Sequence, residues 1–231
     1  MGLQENFKEI TEKIREAELS AGREPGSVRL IAVSKTKPIE MLEEAWSIGQ
    51  RVFGENHVQE IVEKKTAHPE YEFHMIGHLQ RNKVKSVIGR VSLIHSVDSL
   101  RLAEEISKES VKAGLVTDIL LEVNAGGEES KYGFTPEETV SAALEIAKLP
   151  GIRVKGLMTV APNVEDPEEV RPVFRKIAQL AVDIREKNDD NIDMYELSMG
   201  MTNDFRVAIE EGATMVRIGT ALFGARAYTK E

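Results

Sequence analysis

Short apolar runs rich in β-branched residues recur along the chain at 28–34, 51–54, 72–76, 91–96, 117–123, 152–158, 194–198 and 214–218. Runs this short and this uniformly apolar read as strands buried on both faces, the pattern of a parallel sheet. Between them lie longer stretches, 39–48, 58–65, 100–113, 136–149 and 167–186, whose apolar positions return every three to four residues. These predict amphipathic helices. Asp98 and Thr135 stand where N-caps are expected, and Pro136 and Pro167 suit first-turn positions, where a missing N–H costs nothing. Ahead of the first strand, Leu3, Phe7, Ile10, Ile14, Ala17 and Leu19 are spaced for one further helix ending at Gly22.

Eight apolar strands alternating with helices predict an α/β fold, a single (β/α)8 TIM barrel with an extra N-terminal helix, occupying residues 1–231 as one domain. An open doubly wound sheet fits less well. No Gly-x-Gly-x-x-Gly follows an early strand, and eight repeats match barrel closure.

Composition narrows the function. The net charge of −9 argues against a general nucleic-acid or anionic-membrane surface, which needs clustered Lys and Arg. No cysteine is present, so there is no disulfide framework, thiolate metal site or thiol nucleophile. The polar start, Met1-Gly2-Leu3-Gln4-Glu5-Asn6, does not resemble a signal peptide, and no apolar run reaches membrane-spanning length. The expectation is a cytoplasmic protein with no metal.

In a parallel barrel the working face lies at the C-terminal ends of the strands, so chemistry is sought just after each run. Lys35 closes the first strand and is followed by Thr36-Lys37-Pro38, which places an amine where a buried strand opens into a loop. A Schiff-base lysine belongs at such a place, since low-dielectric walls and a second cation at Lys37 favour the free amine. After strands seven and eight, Ser198-Met199-Gly200-Met201-Thr202 and Arg217-Ile218-Gly219-Thr220 offer hydroxyls, glycine turns and a cation. Barrels commonly bind phosphate there, and a helix expected to begin near Asn203 adds free N–H groups. Arg217 inside an apolar strand needs a partner. Two readings stand for Asn56, a hydrogen bond to a ligand's phenolic oxygen or a cap on the following helix. His78 likewise either stacks on or hydrogen-bonds a ring, or packs without function. His74 and His78 do not have helical metal geometry, because Gly77 intervenes after a strand.

Seven segments together resemble the pyridoxal phosphate homeostasis family, single-domain proteins similar to the barrel domain of alanine racemase. They are Ala32-Val33-Ser34-Lys35-Thr36-Lys37-Pro38, Phe53-Gly54-Glu55-Asn56-x-x-Gln59-Glu60, His74-x-Ile76-Gly77-His78-Leu79-Gln80-x-Asn82-Lys83, Glu129-Ser130-Lys131-x-Gly133, Gly156-Leu157-Met158-Thr159, Leu197-Ser198-Met199-Gly200-Met201-x-x-Asp204 and Val216-Arg217-Ile218-Gly219-Thr220. The resemblance implies pyridoxal 5′-phosphate as cofactor, Lys35 as its Schiff-base lysine, and Ser198, Gly219 and Thr220 around the phosphate, on the opposite side of the barrel from Lys35. Arg217 is implied at either the pyridine nitrogen or the phosphate, and Lys131 near the phenolic oxygen, where the racemase has an arginine. By the same resemblance, the racemase's β-domain and its acid/base tyrosine are expected to be absent.

The expected function is a monomeric carrier or buffer of pyridoxal phosphate that serves vitamin B6 and amino-acid balance and passes cofactor to apo-enzymes, without robust turnover. The alternatives are a small pyridoxal-phosphate racemase or related enzyme, and a cofactor-free lysine aldolase. Racemisation needs a second proton-transfer group on the face opposite Lys35, and Tyr132 is the one tyrosine on a working-face loop.

Overall fold

The computed structural model describes residues 2–128, 132–187 and 189–224. Its eight strands are β1 (Arg29–Val33), β2 (Val52–Glu55), β3 (Glu72–Met75), β4 (Leu93–Val97), β5 (Thr117–Glu122), β6 (Ile152–Met158), β7 (Ile192–Ser198) and β8 (Met215–Ile218). All pair in parallel with their sequence neighbours, and β8 closes onto β1 with Ile31 opposite Arg217. The chain therefore forms the closed TIM barrel expected, with strand ends within two residues of the apolar runs.

The helices are α1 (Leu3–Ser20), α2 (Ile39–Ser47), α3 (Val58–Ala67), α4 (Val84–Val87), α5 (Leu100–Ala113), α6 (Pro136–Ala147), α7 (Arg171–Arg185), α8 (Phe205–Glu210) and α9 (Thr220–Phe223). Thr135 caps α6 with a reciprocal capping box to Glu138. The expected cap at Asp98 is incorrect. Ser99 caps α5, accepting from the Leu102 N–H at 3.4 Å, while Asp98 turns to His78 Nδ1 at 3.1 Å. The helix expected near Asn203 begins at Phe205, because Asp204 Oδ1 takes the Met201 N–H at 2.6 Å and holds 201–204 as a turn.

The extra helix has a structural reason. α8 and α9 span only six and four residues, too short to cover the strands they follow. α1 packs across both of them, with Asn6 Nδ2 donating to Leu222 O at 2.9 Å. Its buried Glu18 accepts from the Gly26 and Val28 N–H groups and so fixes the entry into β1.

Two apolar clusters hold the barrel. The larger fills the layer between strands and helices. The smaller, Ile31, Val52, Leu93, Leu120, Met158 and Met215, contributes one side chain from each of six strands and plugs the lumen. The polar groups described next lie on strands that share this plugged interior.

Candidate functional site

Lys35 sits two residues beyond β1, half-buried, in a loop whose flanking residues are tied down on several sides. Ser34 N donates to Gly54 O at 3.0 Å, and Ser34 Oγ donates to Glu55 Oε1 at 2.6 Å. From α3, Lys64 Nζ reaches Ser34 O at 2.9 Å, Glu55 Oε1 at 2.7 Å and Glu60 Oε2 at 2.8 Å. Glu60 Oε2 also accepts from the Thr36 N–H at 2.8 Å. One buried ion cluster thus holds the backbone on both sides of Lys35. Thr36 is kept at φ 61°, a left-handed conformation that a β-branched residue adopts only under constraint. Burial pushes the Glu55 carboxyl above its usual range, and Lys64 opposes this. Lys37, expected as a second cation beside Lys35, donates to Phe223 O and Gly224 O, both at 3.1 Å, at the C-terminus of α9.

At the neighbouring strand ends the site is built by β7 and β8. Met199 N donates to Met215 O and Arg217 N to Gly200 O, so the chain beyond β7 stays laced to β8. Gly200 sits at φ 94°, where a Cβ would come within 2.7 Å of Ala208 and 2.9 Å of the Phe205 backbone. A Cβ on Gly219 would press on Val33 at 3.2 Å, which brings the α9 turn close against β1. Both glycines therefore have packing reasons, and the second sets the β8 loop beside the Lys35 loop. The phosphate-type residues are adjacent to Lys35, not on the opposite side of the barrel, because closure makes β8 the neighbour of β1.

Arg217 is the buried cation of this mouth, 5% exposed. Its NH1 donates to Ser198 Oγ at 2.6 Å and its NH2 to Thr159 O at 2.8 Å. The carboxylates acting on it, Asp204 and Glu122, do so through space, and none among the described residues forms a salt bridge with it. Burial brings its pKa down to about 10, still charged at neutral pH. Glu122, near the same mouth at the end of β5, is raised to about 7 by burial and then by Asp98, while Arg217 opposes the rise. A guanidinium enclosed without a counter-ion suits a ligand that brings an acceptor or an anion.

The other sequence candidates lie around this mouth. Asn56 follows β2 without capping α3, whose N-cap is His57, and its amide makes no hydrogen bond to any described residue. His78 is exposed, held by Asp98 and stacked on Tyr132 with ring centroids 3.8 Å apart. Thr220 opens α9 and is exposed. Glu129-Ser130-Lys131 lies outside the described residues.

The family model of the alanine racemase N-terminal domain matches residues 5–227. A pyridoxal phosphate homeostasis protein of Aquifex aeolicus is 46% identical over 97% of this chain and 98% of its own. The chain belongs to the pyridoxal phosphate homeostasis family. Among solved structures, a protein of Bifidobacterium adolescentis superposes with a TM-score of 0.91 at 39% identity, covering 96% of this chain and 94% of the other. PipY of Synechococcus elongatus PCC7942, solved with PLP bound, superposes with a TM-score of 0.79 at 34% identity, covering 91% of this chain and all of PipY.

For this family member, sequence reasoning missed the supports beneath the site. Glu55, Glu60 and Lys64 look like solvent-facing charges until α3 folds onto β1 and β2. His74 and His95, which join Ser198 and Arg217 in one hydrogen-bonded chain, were polar residues in apolar strands. The argument applied to Arg217, that a buried polar group needs a partner, would have found them.

Proposed function

We propose that the protein binds pyridoxal 5′-phosphate at the barrel mouth and buffers or delivers it to apo-enzymes, in support of vitamin B6 and amino-acid balance. The observation that carries this is the buried Arg217, which forms no salt bridge among the described residues, one strand away from the clamped Lys35. When bound, the cofactor supplies an aldehyde that bonds an amine and a ring that withdraws electrons from it.

Lys35 is the amine, held at the mouth by the fixed backbone of Ser34 and Thr36 on either side of it. Arg217 donates to the ring nitrogen or the phosphate. Gly200, Gly219 and Thr220 shape and line the phosphate end together with Ser198, and the amide of Asn56 is free to bond the phenolic oxygen. His78 forms the outer wall. Arg217 keeps its proton at neutral pH, so a ring nitrogen that accepted from it would stay unprotonated, and carbanion chemistry would be slow. We further infer a single-domain, monomeric, cytoplasmic protein without nucleic-acid or membrane partners, from its acidic balance, its lack of cysteine and the absence of a membrane-spanning helix among the described residues.

The test is the visible spectrum of purified protein titrated with pyridoxal 5′-phosphate, before and after borohydride, followed by incubation with an apo-enzyme. A borohydride-reducible chromophore and transfer of cofactor are expected, with negligible turnover of amino acids. A protein that acquires no chromophore would contradict the binding, and turnover on the order of 1 s⁻¹ would make it an enzyme.

A further inference from the structure

Beneath Arg217 a continuous hydrogen-bonded chain crosses the barrel. Arg217 NH1 meets Ser198 Oγ at 2.6 Å, Ser198 Oγ meets His95 Nδ1 at 2.9 Å, His95 Nε2 meets His74 Nδ1 at 2.9 Å, and His74 Nε2 meets Glu72 Oε1 at 3.1 Å. β4 and β7 are not neighbours in the barrel, so the His95–Ser198 bond passes through the lumen. Glu72 stands at the N-terminal end of β3, where it also accepts from Ser92 Oγ at 2.8 Å.

The direction of every bond follows from its two ends. The Glu72 carboxylate accepts only, so His74 carries its proton on Nε2. A neutral His74 then accepts at Nδ1, which requires Nε2–H on His95 and leaves His95 Nδ1 as an acceptor. The single proton of Ser198 must point to that nitrogen. The oxygen's remaining lone pairs face Arg217, whose guanidinium can only donate. Both imidazoles are favoured neutral: burial is the main cause for each, with Arg29 lowering both, His74 and Arg217 lowering His95, and Glu72 and Glu196 acting against the shift at His74.

We propose that Glu72, His74 and His95 are positioning residues that fix the Ser198 proton inward, making Ser198 an acceptor that aims Arg217 at the barrel mouth. Ser198 then serves cofactor binding through Arg217, not by donating its hydroxyl to the phosphate. A phosphate that drew the serine proton outward would need His95 to donate from Nδ1, His74 to donate from Nδ1, and one extra proton on His74. The inference rests on the mouth being the cofactor site, but the chain itself exists without cofactor.

The experiment uses the full-length protein labelled with 15N-histidine, with and without pyridoxal 5′-phosphate. Long-range 1H–15N spectra show which ring nitrogen carries the proton. His74 and His95 are expected to be neutral Nε2–H tautomers in both states at neutral pH. Nδ1–H on His95, or a proton gained by His74 on loading, would overturn the proposal. A mutant cycle adds the functional arm. His95→Phe and Ser198→Ala are each expected to weaken pyridoxal 5′-phosphate binding about tenfold, and the double variant no further, because both break one path to Arg217. Effects that multiply in the double variant would show His95 acting by another route. If the protein bound no cofactor, the proposed function would fail, yet the unliganded spectra would still decide the chain.

Discussion

On the β1–β2 side of the mouth the supporting groups are ions, Lys64 with Glu55 and Glu60, and α3 brings the cation to them from outside the strand wall. Beneath Arg217 they are neutral imidazoles and a hydroxyl crossing the lumen. Each region holds one basic side chain of the site, Lys35 or Arg217, and the difference follows from dielectric. The ion cluster sets Lys64 between two carboxylates and reaches the edge of the helix layer through the partly exposed Glu60, whereas a further cation in the lumen would face Arg217 without solvent. The ion cluster fixes a backbone; the neutral chain fixes a proton.

The comparison breaks most severely at Lys64. Lys64→Met strands Glu55, which has no exposure of its own, and is expected to destabilise the fold by about 3–5 kcal/mol in denaturant unfolding. Cofactor linkage to Lys35 should slow in parallel. Lys64→Met with Glu55→Gln should recover much of the stability, since the uncompensated charge is gone and Ser34 keeps an acceptor. A double variant as unstable as the single would show that the ions matter only as packing.

Next in size is the opposite pH response of the two interiors. Glu122 has a folded pKa raised to about 7, above its ordinary 4.5. Its contribution is full below the ordinary value and lost as pH rises through about 7. His95 is depressed, so its contribution is present above its ordinary 6.5 and lost as pH falls below it. Glu122→Gln should therefore remove a fall in Tm between about pH 4.5 and 7 and leave the curve above pH 7 with its wild-type slope. A slope unchanged between about pH 4.5 and 7 would contradict the assignment.

Thr220→Val should weaken pyridoxal 5′-phosphate by about 1.5–3 kcal/mol if its hydroxyl bonds the charged phosphate, and leave pyridoxal unchanged. Equal losses for both ligands would make Thr220 a residue of the fold alone. The smallest effect is expected at Thr36. Thr36→Gly relieves the left-handed strain at φ 61° but loosens the unfolded chain, a net change within about 1 kcal/mol, with slower cofactor linkage as the loop gains freedom. Linkage at the wild-type rate would show that Thr36 does not preset Lys35.

These supports were the illegible part of the sequence. The strands were readable because parallel barrel strands are apolar on both faces, and Lys35 and Arg217 because each interrupts or closes such a run. The short α8 and α9 escaped, being too brief for periodicity. Lys64 reads as one more charge on an amphipathic helix, since periodicity cannot say that a strand carboxylate nine positions earlier returns to meet it. His74 and His95 were visible as polar breaks in apolar runs, but the bond from His95 to Ser198 depends on barrel closure bringing β4 to face β7. Asp98 was misread because the cap rule sees only the local chain, while His78 competes for the carboxylate from another loop.

The central claim is that the clamped amine of Lys35 carries the cofactor. It is tested most directly by incubating the protein with pyridoxal 5′-phosphate, reducing with borohydride and mapping the pyridoxyl group by peptide mass spectrometry, alongside Lys35→Ala. The account predicts the label on Lys35 and loss of the reducible linkage in the variant, with non-covalent binding retained. A label mainly on Lys37 or Lys131, or a linkage that survives in Lys35→Ala, would contradict it.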